Sequence, residues 1–138
     1  PELNHEEDIP VVPARLFRAP DINIYDYVIN SSSVDRLPPV PHFQKHDMFA
    51  TCPGDAMAPK IRRGYLIALR RMPKDTVIIN GDIYAVDTKS SGMFVRRLIA
   101  NENTLTCVSE NPETFPTFEI ENEDIISIFR VVGILINM

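Results

Sequence analysis

The chain has 138 residues, 12 of them proline, and a formal net charge of -5 at pH 7. That length suits one domain with its own core, so disulfide or metal staples are not required. Its 44% hydrophobic and 24% charged residues argue against disorder, the prolines argue against a helical bundle, and the acidic balance argues against a dedicated nucleic-acid surface.

Residues 1–41 read as a proline-rich arm, in which Pro1, Pro10, Pro13, Pro20, Pro38, Pro39 and Pro41 prevent long regular elements. Its first eight residues are acidic and polar, unlike a secretory signal, and with no initiator methionine the chain reads as a fragment of something longer. Ile9 to Val12 fits a short edge strand. Residues 21–28 alternate polar and apolar side chains, as a half-buried strand does; a short helix with an Asp cap is the alternative. Ser31 to Ser33 reads as a loop.

Residues 42–138 read as a body of strands and turns. Strands are expected over 47–51, 65–70, 83–87, 93–99, 104–109 and 125–136, and turns at 80–82, 90–92 and 101–103. One helical turn is expected over 56–62. The last run is nearly continuous and apolar, with Gly133 marking a bulge. It contains Arg130 and is shorter than the roughly 20 residues that span a bilayer, so no membrane association is expected. The fold class is mainly β, an antiparallel body with little helix.

The most informative stretch is Gly54-Asp55-Ala56-Met57-Ala58-Pro59-Lys60-Ile61-Arg62-Arg63-Gly64-Tyr65-Leu66. It resembles the Gly-Asp-Ser-Met-x-Pro motif of the LexA and phage-repressor family of self-cleaving serine peptidases, matching at Gly54, Asp55, Met57, Pro59, Ile61, Gly64 and Leu66. Further landmarks follow in the family's order: Gly81-Asp82-Ile83-Tyr84-Ala85-Val86, Phe94-Val95-Arg96-Arg97-Leu98, Ser109-Glu110-Asn111-Pro112 and Ile128-Phe129-Arg130-Val131-Val132-Gly133. The resemblance covers about residues 48–136. It implies a LexA/signal-peptidase-like β body, a serine nucleophile and a buried neutral lysine as its base.

The sequence departs from the family at both positions. The resemblance puts the nucleophile at Ala56, which has no hydroxyl, and the base at Arg96, which stays protonated. Two such losses fit a naturally inactive member better than a single engineered Ser→Ala trap. The arm has no Ala-Gly bond of the kind the family cuts. Its nearest analogue, Phe17-Arg18-Ala19-Pro20, carries a proline after the alanine.

Two functions are therefore expected as alternatives. The first is the C-terminal dimerisation and regulatory domain of a bacterial or phage helix-turn-helix regulator, cytoplasmic, binding DNA through an N-terminal domain absent from this chain. The second is a self-cleaving serine–lysine peptidase, of LexA or polymerase-accessory type, captured as an inactive mutant. Signal peptidases, a weaker match, need an anchoring helix as well as the same serine and lysine. Relatives pair through C-terminal strands, so Ile128, Val131, Ile134 and Ile136 are the dimerisation candidates, by strand pairing or face packing; an internal core strand is the equal alternative.

The remaining chemistry-bearing residues have plainer readings. His42 and His46, beside Asp47, read as a solvated pair and not as metal ligands. Cys52 and Cys107 read as packed thiols in a reducing compartment, and Cys52 is not expected to form a catalytic couple with His46. Arg62, Arg63, Arg70, Arg71, Lys74 and Arg97 read as solvated strand faces balanced by an acidic stretch at 119–124. If Arg96 is buried it needs a partner, for which Asp55 is the candidate; otherwise it snorkels to solvent. No cofactor and no metal are expected.

Overall fold

A computed structural model describes residues 7–136. The elements in chain order are β1 (Ile9–Val12), a 3-10 turn (Ala14–Arg18), α1 (Ile24–Asn30), β2 (Arg36–Leu37), β3 (Met48–Thr51), β4 (Leu66–Arg71), β5 (Ile83–Thr88), β6 (Gly92–Ala100), β7 (Thr104–Val108), β8 (Phe118–Glu121), a second 3-10 turn (Asn122–Asp124) and β9 (Ile125–Leu135). The strands form one sheet in the order β2-β1-β3-β4-β9-β5-β6-β7-β8. Every pair is antiparallel except β1 with β3, which is parallel. The expected mainly β, antiparallel body is thus the observed one.

The sheet is centred on β5, all six of whose residues are buried. Successive side chains of a strand point to opposite faces, and β5 divides its residues accordingly. Ile83 and Ala85 join one core cluster with Met48, Met57, Ile61 and Leu69, whereas Tyr84 and Val86 join a second with Leu98, Leu105, Cys107 and Ile120. Val12, Phe17, Ile24 and Val28 of the arm enter the first cluster, so the arm contributes to the core of the body.

The bulge expected near Gly133 is present. Ala68 faces Gly133 and Leu69 faces Val131, which leaves Val132 as the extra residue of β9. A Cβ there would run into the ring of Phe43, so any larger residue would force that side chain to move.

Several expectations are corrected. Residues 24–30 are helix, not strand: only Ile24 and Val28, four apart and on one helical face, are buried. The cap is Asn23, whose side chain accepts from the Asp26 N–H at 3.1 Å, not an aspartate. β1 is not an edge, because β2 covers its outer side. The helical turn expected over 56–62 is present as a single turn at 56–60, in which the Ile61 N–H donates to Met57 O, and does not extend to a regular helix. The acidic stretch contains an unexpected strand, β8, with Ile120 buried between exposed Glu119 and Glu121.

The C-terminal run is paired along its whole length, but on both sides only at Phe129 and Arg130. β9 pairs with β5 from Ile125 to Arg130 and with β4 from Phe129 to Leu135. Ile128 packs against the second cluster, Val131 and Ile134 pack against the first, and Ile136 is 63% exposed. Pairing along the whole run is therefore closed. Among the described residues β9 has no strand partner beyond Arg130 on the side facing away from β4, nor from Ile125 to Ile128 on the side facing away from β5.

Candidate functional site

The loop between β3 and β4 carries the motif turn. Its base is closed by two hydrogen bonds: the Cys52 N–H donates to the Tyr65 carbonyl at 2.8 Å, and the Gly64 N–H donates to the Cys52 carbonyl at 2.9 Å. Within the loop the Ala58 N–H donates to Asp55 O at 3.1 Å and the Ile61 N–H to Met57 O at 2.9 Å. Asp55 Oδ1 accepts from the Arg63 N–H at 3.1 Å, tying the front of the turn to its end. Met57 and Ile61 are 1% and 0% exposed and anchor the loop in the core. Gly54 is half-buried and Pro59 exposed.

The segment after β7 braces this turn. The Glu110 N–H donates to Ala56 O at 3.0 Å, and Asn111 Nδ2 donates to Ala58 O at 2.8 Å. Ser109 Oγ donates to Phe115 O at 2.8 Å and accepts from the Asn111 N–H at 3.1 Å. Glu110 also pairs with Arg97, whose Nη1 donates to Gly81 O at 2.7 Å. Ser109-Glu110-Asn111 therefore links the motif turn to the turn before β5.

Ala56 and Arg96, which the sequence singled out 40 positions apart, line one cavity of about 430 Å³. Met93, Val95 and Phe115 supply apolar walls, and Phe17, Arg18 and Pro20 of the arm close one side. Ala56 is buried and offers no group that could attack a carbonyl. Arg96 is half-buried on β6, opposite Tyr84. One of its Nη groups donates to Val95 O at 2.8 Å, and its guanidinium lies 5.9 Å from the Phe94 ring centre and 5.6 Å from that of Phe118. Its Nε is buried without a hydrogen-bond partner. Burial lowers its pKa from the ordinary arginine value, from so high a start that it remains a cation at neutral pH and accepts no proton.

The partner expected for Arg96 is corrected. Asp55 is held by the Arg63 N–H, and among the described residues no carboxylate pairs with Arg96. Aromatic faces and one carbonyl take that role.

The histidine expectation is half right. His42 is exposed, but His46 is 6% exposed. Its Nε2 accepts from the Val40 N–H at 3.1 Å, which leaves Nδ1 to donate to Gln44 O at 2.8 Å. Both nitrogens are thereby engaged, and the ring packs edge-on to Phe49. Among the described residues no group of three or more His, Cys, Asp or Glu could hold a metal ion. Cys52 and Cys107 are free, buried thiols with pKa values raised by burial, that of Cys107 to about 11. Arg62, Arg63, Arg70, Arg71 and Lys74 are exposed and Arg97 half-exposed; Arg71 stacks over Tyr25 at 4.2 Å.

Two features, one beside the cavity and one on the central strand, were not expected. Phe17 is 2% exposed, and its carbonyl lies so close to Gly92 that a Cβ there would collide with it; Gly92 also has φ 71°, which favours glycine. Asp87, on β5, is wholly buried and accepts from the Ile24 N–H. The one sequence signal for it was an acidic residue ending an otherwise apolar strand.

Residues 18–135 match the family described as Peptidase S24-like. No curated protein matches the chain.

Proposed function

The chain belongs to the Peptidase S24-like family, and we propose that it is a catalytically silent member, acting as the C-terminal dimerisation and regulatory domain of a bacterial or phage transcriptional regulator. The observation that carries this reading is the pair Ala56 and Arg96 on one cavity. The cleft is retained, but at those two positions it can supply neither a nucleophile nor a proton acceptor. A net charge of -5 suits a body whose DNA contacts lie on an N-terminal domain outside this chain. The edge of β9 after Arg130 that faces away from β4 has no strand partner among the described residues and, with exposed Ile136, suits pairing with a second copy across a two-fold axis. No helix among the described residues is long and apolar enough to cross a membrane; a cytoplasmic location is part of the proposal. With self-cleavage lost, a ligand seated in the cleft takes over the release of repression.

Sedimentation of the fragment tests assembly. A dimer that Ile136→Asp weakens at least tenfold supports the reading, and a strict monomer at high concentration overturns it. Incubation of the longer chain at alkaline pH tests silence: it stays uncut, and cleavage within the arm would overturn the reading.

One observation favours the second reading, a serine–lysine self-cleaving peptidase captured as a mutant. Phe17, Arg18 and Pro20 line the same cavity as Ala56, where a segment to be cut would lie. Installing Ala56→Ser with Arg96→Lys tests it, with cleavage in the arm as the supporting result.

A further inference from the structure

Among the described residues Arg96 is a charge without a counter-charge. Among the described residues its guanidinium has one hydrogen bond, to Val95 O, and a buried Nε with no partner. A half-buried cation in this state is costly unless an anion reaches it. The rings of Phe94 and Phe118 flank the guanidinium, which orders its planar fork before any ligand arrives. Across the cavity the N–H groups of Ala56 and Met57 donate to no acceptor among the described residues. Exposed Arg18 adds a second positive charge to the lining. The one carboxylate in the lining, Asp55, is engaged by the Arg63 N–H.

We propose that this cavity binds a small carboxylic acid with an apolar body, its carboxylate held by Arg96 and its body against Met57, Met93, Val95 and Phe115. The inference rests on the regulatory reading above and names the ligand class for it. A planar, singly charged carboxylate matches a single guanidinium fork, and the apolar walls disfavour a compact, doubly charged anion such as phosphate. A volume of about 430 Å³ lies in the range of small-molecule sites. The same chemistry has two sources, a free carboxylic acid or the last residue of a peptide.

Titration calorimetry on the 138-residue chain tests this with two acid–amide pairs: phenylacetate with phenylacetamide, and N-acetyl-leucine with its amide. The expected result is that at least one acid binds 10-fold or more tightly than its amide. The pair showing this identifies the source. Arg96→Met, which keeps the contact with the rings, abolishes the preference, and Arg96→Lys, which keeps charge without the fork, reduces it. Equal binding of acid and amide, no binding of either acid, displacement by equimolar inorganic phosphate, or a preference that survives Arg96→Met would overturn the inference. Because the first comparison uses the unaltered protein, it stands even if a variant fails to fold. Sedimentation of the same sample separates the two readings. A dimer without acid preference overturns this inference alone, and a monomer with acid preference overturns the assembly reading alone.

Discussion

Asp87 and Ile24, 63 positions apart, are joined by a buried hydrogen bond in which the Asp87 carboxylate accepts from the Ile24 N–H at 3.0 Å. This bond fixes the first residue of α1 to the central strand β5. The second carboxylate oxygen is buried without a partner, and burial pushes the Asp87 pKa from 3.8 up to about 6.

The sign of the resulting pH dependence follows from proton counts. Between pH 4 and 6 the folded chain keeps the Asp87 proton and the unfolded chain has released it, so stability falls as pH rises through this window. At about 1.4 kcal/mol per unit, the loss is up to about 3 kcal/mol. Asp87→Asn keeps an acceptor for Ile24 and removes the charge. Urea melts from pH 4 to 7 should show the variant gaining on wild type as pH rises, with the difference levelling above pH 6. A difference that does not vary with pH would contradict the assignment.

Gly92→Ala should dislodge the arm. The added methyl collides with the Phe17 carbonyl, which is backbone and cannot rotate away, and the positive φ adds strain. We expect a loss of about 2–4 kcal/mol, typical of severe backbone conflicts. Trypsin should then cut faster at Arg15 and Arg18. Unchanged protection of these bonds would show that the contact does not hold the arm.

Asn111→Ala should loosen the motif turn while leaving the sheet intact. It removes the bond from Nδ2 to Ala58 O at a cost of about 1 kcal/mol. Amide exchange should accelerate at Ala58 and Ile61, whose N–H groups close the turn, and remain slow in β5. Uniform acceleration across the chain would instead mean that the substitution acts on global stability.

Cys107 should resist alkylation. With its pKa near 11, the thiolate fraction at pH 8 is about one in a thousand, and the thiolate is the reactive form. Iodoacetamide should label neither Cys107 nor Cys52 in the folded chain at that pH and both in urea. Labelling of folded Cys107 at the rate of a free thiol would refute its burial.

The sequence made the site legible because its landmarks are local. Gly54 to Tyr65 and Ser109 to Pro112 lie on turns and loops, where a few residues determine backbone path and hydrogen bonding. That is why Ala56 and Asn111 stood out before their contacts were known, whereas Arg96, on strand β6, was placed by the family resemblance. Other features depend on distant partners. Residues 21–28 alternate in polarity, but burial against the sheet selects the Ile24 and Val28 spacing of a helix. Glu119 and Glu121 gave β8 the look of a charged tail, because a strand with one wet face shows its polar residues openly. His46 looked solvated until Phe43 and Phe49 enclosed it. Asp55 looked like the partner for Arg96 because opposite charges suggest pairing, whereas the turn's own backbone claims it.

The position of β9 between β4 and β5 bears on how the chain is made. A ribosome releases both of those neighbours well before it releases residues 125–135. Until then β4 and β5 have no shared partner, and the two halves of the sheet are left as separate ribbons with open edges. The sheet therefore closes only once β9 has emerged, over long sequence separations that slow folding. A nascent chain stalled short of β9 should be a holdase client, not a partly working domain.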